Sequence, residues 1–202
     1  MRRFAFLLTV TVCAIAGYSY MTRLTPSKSL SAPDRTFYIA LEANSEEEKL
    51  SSQDVLHELS KTIESKPQII VDELKGETVT NLFSDKTSPR HAFREAIGQI
   101  QVVHSENGAI VSAITRAVLL GQEKPFVSAV IVTSGTVDPF TLTRIKEVSR
   151  ELNKETTKLY FLGISEEIRL PMSQAFSEIK GNVRFSSTDS EMLGTVSRLN
   201  KE

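Results

Sequence analysis

The sequence predicts a three-layer, doubly wound α/β domain: a mostly parallel sheet flanked by helices on both faces. Two observations carry that prediction. From Phe37 onward, short apolar runs alternate with longer segments whose apolar residues recur at helical spacing. Strands separated by helices of this length imply βαβ units and a sheet covered on both faces. A third observation places a site. "AVIVTSGTVDP", Ala129 to Pro139, reads as a buried strand that stops in Thr-Ser-Gly and then starts a helix. In open α/β sheets, ligands bind at the carboxyl ends of such strands.

The N-terminal segment stands apart. "MRRFAFLLTVTVCAIAGYSY" sets Arg2 and Arg3 before an uncharged, largely apolar run. That is the layout of a signal peptide (with small residues at Gly17-Tyr18-Ser19) or of a marginal membrane anchor, and it predicts an exported or tethered protein. The alternative is a buried N-terminal helix. Val12 before Cys13 fits a lipid-anchored signal poorly. Residues 21–35, rich in Ser, Thr and Pro, read as a flexible linker, and residues 36–202 as the folded domain.

Within that domain "FYIAL" predicts the first strand. "NSEEEKLSSQDVLHELSKTIESK" predicts a helix with Leu56, Leu59 and Ile63 on one face, and Ser45 and Glu48 as a capping box. "QIIVDEL" and "TVTNLF" flank Lys75-Gly76-Glu77 as a hairpin or edge pair. "SPRHAFREAIGQI" opens on a Ser-Pro cap, and "GAIVSAITRAVLLG" is a second apolar helix with Gly121 at its end. After the strand at Ala129, Asp138-Pro139 caps a helix carrying Leu142, Ile145, Val148 and Leu152. "KLYFLGI" is a strand, "LPMSQAFSEIKG" a helix closing on Gly181, and "VRFSS" a strand. Thr188-Asp189 is set to cap a last helix, "SEMLGTVSRL".

Charge and chemistry narrow the function. Twenty-four bases against 25 acids leave no broad field to attract nucleic acid. Cys13 is the only cysteine, and His57, His91 and His104 are scattered, so no zinc-like spacing exists. No Gly-x-Gly-x-x-Gly and no Gly-Lys-Ser/Thr follows a strand. Ser134 sits at a strand-to-helix turn, but its flanks two residues away are Val132 and Thr136, not glycines. No histidine follows it in the chain, which removes a nucleophile elbow and triad in the usual hydrolase order. Glu46, Glu47 and Glu48 are explained by the helix dipole they complement.

Three phrases resemble the von Willebrand factor type A domain: "TFYIALEANSEEEKL", "ENGAIVSAITRAV" and "SAVIVTSGTVDP". The resemblance runs from about Phe37 to Leu199 and implies a VWA-like or Rossmann-like fold. In that family Asp-x-Ser-x-Ser, a Thr and an Asp, from three loops, hold a magnesium or manganese ion that receives a partner's carboxylate. Here the first loop reads Glu42-x-Asn44-x-Glu46, the Thr position falls on Ala109, and the third-loop Asp falls on Ser134. None of the five ligands is retained in kind.

The resemblance therefore implies a non-enzymatic protein-interaction module with a degenerate metal site. No metal or other cofactor is expected. The candidate recognition loops carry Glu42, Asn44, Ser45, Glu46, Asn107, Thr133, Ser134 and Asp138. Loops on a rigid scaffold are where recognition concentrates. The partner is a protein; no nucleic acid is expected, and the membrane enters only through an uncleaved N-terminal segment. The alternative is cation-dependent adhesion, or hydrolase or phosphatase chemistry, at a rearranged acidic site in which Glu42, Glu46 and Asp138 bind magnesium. A third reading is a structural subunit of a membrane complex.

Overall fold

A computed structural model describes residues 34–63, 66–134, 137–187, 191, 194, 195 and 199. The N-terminal segment, nearly all of the linker, the Thr188-Asp189 cap and most of the last helix lie outside the described residues. Among the described residues no helix is long and apolar enough to cross a membrane.

Six strands form one sheet in the order β3-β2-β1-β4-β5-β6. They are β1 (Arg35–Leu41), β2 (Gln68–Lys75), β3 (Thr78–Lys86), β4 (Phe126–Val132), β5 (Thr157–Leu162) and β6 (Val183–Ser186). All pairs are parallel except β2–β3, the antiparallel hairpin expected around Gly76. Gly76 has φ +54°, a left-handed conformation that glycine adopts without a Cβ clash. The helices are α1 (Glu46–Thr62), α2 (Pro89–Ile97), α3 (Asn107–Glu123), α4 (Pro139–Ser149) and α5 (Glu166–Ala175).

Strand alternation divides the core in two. Phe37, Ile39 and Leu41 pack with Val55, Leu56 and Leu59 of α1 and Phe93 of α2 on one face. Tyr38 and Ala40 pack on the other with Ala113, Ile114 and Ala117 of α3, Ile145 of α4 and Met172 of α5. This is the three-layer α/β architecture expected, with the order of strand addition reversing between β1 and β4, which run parallel and pair along their whole length. The carboxyl ends of β1 and β4 thus meet at the switch point of a doubly wound sheet.

Several local expectations need correction. Arg35, assigned to the linker by composition, is the first residue of β1. Gly121 does not end a helix. It lies inside α3, where a Cβ would come within 2.0 Å of the Thr157 hydroxyl, so it is there for close packing. The segment read as one helix closing on Gly181 is α5 followed by a separate 3-10 turn, Ser177–Asn182. α5 starts earlier than expected, at Glu166, and its first turn carries Glu166 and Glu167, which complement the helix dipole, while Ser165 before it makes no side-chain capping bond. Pro171 lies within α5, where a proline removes one backbone donor. Ser88 precedes α2 without a side-chain capping bond.

Candidate functional site

At the switch point, the chain leaves β1 directly into Glu42, whose N–H donates to the Val132 carbonyl at 2.9 Å. The residue is only 5 % exposed, so its carboxylate turns inward beneath the loops. One oxygen accepts from Asn44 Nδ2 at 2.8 Å and from the Ser105 hydroxyl. The other accepts from the Thr133 hydroxyl at 2.7 Å and the Ser134 N–H at 2.8 Å. Burial alone pushes this carboxyl up. The hydrogen bonds from Ser105, Thr133, Asn44 and the Ser134 backbone outweigh burial and hold it below the ordinary carboxylate range.

The donors come from three loops. Asn44 follows β1, Ser105 precedes α3, and Thr133 and Ser134 follow β4. Asn44 also accepts from the Ser105 N–H at 2.6 Å, binding the first loop to the second. The second loop is stitched down further, because Val103 N–H donates to the Ala43 carbonyl and Gly76 N–H to the His104 carbonyl. Behind the third loop lies Gly163, with φ +86°. A Cβ there would stand 3.0 Å from the Thr133 carbonyl oxygen.

Glu48 joins the same network. Ser45 Oγ accepts from the Glu48 N–H at 3.2 Å, the expected half of the capping box. The Glu48 carboxylate returns not to the Ser45 N–H but to Asn44 N–H, at 2.8 Å, and its other oxygen accepts from Ser134 Oγ at 2.6 Å. Asp138 caps α4 as expected, accepting from the Thr141 N–H at 2.9 Å and hydroxyl at 2.8 Å, and also from Asn107 Nδ2 at 2.7 Å. The Thr141 backbone, then its hydroxyl, hold Asp138 below its ordinary range despite a small opposing effect of desolvation.

The candidate residues therefore divide. Glu42 and Thr133 lie inside and brace the loops. Ser45, Glu46 and Ser134 are exposed, while Asn44, Asn107 and Asp138 are half-buried at the surface. Glu46 does not converge with the others; its carboxylate pairs with Lys49 at 3.5 Å. Ala109 is buried and offers no polar atom. Among the described residues no three His, Cys, Asp or Glu side chains stand together as a metal-binding group. A crevice of about 450 Å³ lies beside the loops, between His104–Gly108 and Asp138–Arg144, with Glu77 across it. Phe140 stands at its edge, 71 % exposed, with the Arg144 guanidinium 5.9 Å from its ring centre.

Ser105 and Glu48 belong to this network without being singled out among the candidate residues by the sequence. Glu48 had a signal, since a capping box folds its carboxylate back over the preceding loop. Ser105 lies 63 residues from Glu42, and only the fold joins them.

No family model matches this sequence, and no curated protein matches it. Solved structures do resemble its fold. A D319A mutant of the PilB minor pilin from Streptococcus sanguinis aligns with TM-score 0.62 at 8 % identity over 87 % of this chain and 62 % of that one. A von Willebrand factor type A protein from Catenulispora acidiphila aligns with TM-score 0.59 at 12 % identity, over 83 % of this chain and 42 % of that one. The conserved hypothetical protein BatB from Bacteroides thetaiotaomicron aligns with TM-score 0.54 at 11 % identity, over 83 % of this chain and 97 % of that one. This chain thus spans less than two thirds of the first two. At such identities the likeness establishes the α/β fold shared with von Willebrand A structures, and function must come from the site.

Proposed function

We propose that this protein is a non-enzymatic interaction module, exported or tethered by its N-terminal segment, that recognises a protein partner through its switch-point loops without a metal ion. The observation that carries this reading is the Glu42 carboxylate, with hydrogen-bond donors from three loops around it. A magnesium site needs near-octahedral oxygen ligands with lone pairs free to face the ion. Here the Ser105 and Thr133 hydroxyls and the Ser134 N–H aim their hydrogens inward at a carboxylate, and Ala109 supplies nothing. The residues do not fit the cation that the resembling family holds. Glu42 supplies the cross-link between loops that an ion would otherwise provide.

The catalytic alternative loses support from the same geometry. Glu42, Glu46 and Asp138 each face different partners and do not converge. The side chains that remain for recognition are the exposed Ser45, Glu46 and Ser134, with Asn107 and Asp138 half-buried beside them.

Affinity capture with the full chain from its native envelope, with crosslinking, tests this reading. The expected result is one reproducible protein partner, retained in chelator and lost on Ser134→Arg or Asn107→Arg in variants that still melt cooperatively. Loss of the partner on chelation, or its retention by both loop variants, contradicts the reading.

A further inference from the structure

The crevice of about 450 Å³ beside the switch-point loops has a frame built from the backbone. The Glu106 N–H donates to the Gly76 carbonyl at 2.7 Å and the Gly76 N–H to the His104 carbonyl at 3.0 Å, which ties the β2–β3 turn to the start of α3. Gly108 lets the two close up, since a Cβ there would stand 3.0 Å from the Glu77 Cβ. On the α4 side, Asp138 caps that helix through Thr141 and accepts from Asn107 at 2.7 Å, which joins α4 to α3.

Three carboxylates, Glu77, Glu106 and Asp138, line this frame against one guanidinium, Arg144, and one imidazole, His104. Two of these charges are already engaged. Asp138 accepts from Thr141 and Asn107, and Arg144 lies over the Phe140 ring. Glu77 and Glu106 differ. Both are exposed, and among the described residues neither carboxylate has a hydrogen bond or an ion pair. The fold thus sets two uncommitted like charges on adjoining backbone, an arrangement that a cation between them relieves. Phe140, 71 % exposed at the crevice edge, offers an aromatic face of the kind that anchors protein interfaces.

We propose that this crevice receives a basic segment of the protein partner, with an arginine entering between Glu77 and Glu106 while a neighbouring apolar side chain covers Phe140. The proposal rests on the reading of the switch-point loops as a protein-recognition surface and names the chemistry of what they recognise. Arginine suits the place better than lysine, because its planar fork of N–H donors can serve two carboxylates at once. The acids set specificity and the rate of encounter, and the apolar cover on Phe140 adds affinity.

The test uses the full chain and a fluorescent peptide with a Leu-Arg-Leu core flanked by glycine and serine, read by anisotropy. The expected result is saturable binding that is at least about fivefold weaker in about 0.5 M than in about 0.05 M salt. Glu77→Gln/Glu106→Gln, whose exposed side chains leave the melting temperature in place, weakens binding about tenfold or more, and Phe140→Ser weakens it about fivefold. Glu123→Gln/Glu155→Gln removes the same charge from exposed positions at the far end of α3 and ahead of β5, and leaves binding unchanged. No saturable binding up to about 1 mM overturns the proposal. So does equal binding of a Leu-Glu-Leu peptide, or an equal loss in the two double variants, which assigns the effect to net charge. A partner captured equally by the wild type and by Glu77→Gln/Glu106→Gln overturns this inference and leaves the loop reading standing, whereas capture of no partner fails the loop reading itself.

Discussion

Two acids are buried in neighbouring parts of this sheet, and their surroundings drive them in opposite directions. Glu42, at the end of β1, receives hydrogen bonds from neutral donors on three loops and is held below the usual carboxylate range. Asp72, inside β2, is fully buried and faces a cation: Arg116 Nε stands 2.7 Å from its Oδ2. Burial nonetheless dominates, and the Asn81 amide, the Arg116 charge and Tyr38 together leave its carboxyl raised. The geometry explains the difference. Arg116 is 42 % exposed, so water screens its charge, and its N–H is not aligned on the Asp72 oxygen. Aligned neutral dipoles stabilise a buried carboxylate better than one poorly aligned, half-hydrated cation.

The sharpest way to break this contrast is to remove Glu42. Glu42→Ala leaves buried hydroxyls and an N–H without their acceptor, and is expected to cost about 3 kcal/mol, roughly 6–12 °C of melting temperature. Glu42→Gln costs about half of that, because the Thr133 hydroxyl and the Ser134 N–H keep the oxygen and the Ser105 hydroxyl rotates to accept from its amide, while the Asn44 amide loses its acceptor. Differential scanning calorimetry reads both.

Next in size is Gly163→Ala, which meets both a φ of +86° and the Thr133 carbonyl oxygen at 3.0 Å. A loss of about 1–2 kcal/mol is expected. Hydrogen exchange should show it as loosening centred on the Thr133 loop rather than on α3.

Asp72→Asn should change stability at neutral pH by less than about 1 kcal/mol, since it removes a charge the fold holds at a cost and leaves Arg116 able to reach water. The pH dependence separates the two acids by sign. The folded state holds Glu42 below its ordinary value, so its stabilisation is complete above pH 4.5 and is lost as pH falls through the depressed value. For Asp72 the shift is upward. Its contribution is complete below pH 3.8 and is lost as pH rises through the raised value. Denaturation followed across pH should therefore flatten at the acid end in Glu42→Gln. Asp72→Asn should lose the downward slope just above pH 3.8.

The smallest effect belongs to Glu46→Gln. Its carboxylate is 74 % exposed and among the described residues pairs only with Lys49, so the melting temperature should stay within about 1 °C of the wild type. A fall as large as that of Glu42→Gln would restore Glu46 to the site.

Much of this architecture is legible in the sequence because apolar spacing reports burial directly. The runs around Phe37, Ile69, Ala129 and Leu159 are all central strands, and Asp138-Pro139 caps α4 through a bond to Thr141, three residues on. Local chemistry of that kind spans one turn. What spacing does not reveal is where a long side chain goes once the loops close over it. Glu42 reads as a candidate surface ligand, yet the extra methylene relative to aspartate reaches inward to donors 63 and 91 residues away. Gly121 looked like a helix end because glycine commonly is one; its actual constraint, the Thr157 hydroxyl, lies at the start of β5, beyond β4 and α4 in the chain. Asp72 sits in "QIIVDEL" without any local sign of Arg116, which arrives from α3 on the sheet face.

The claim that a carboxylate rather than a cation joins the switch-point loops is tested most directly by melting the full chain in chelator and in about 10 mM magnesium. An ion bound with a Kd of about 0.1 mM would add about 2.7 kcal/mol at that concentration. The account predicts superimposable transitions, whereas a rise of several degrees that Glu42→Ala abolishes would contradict it.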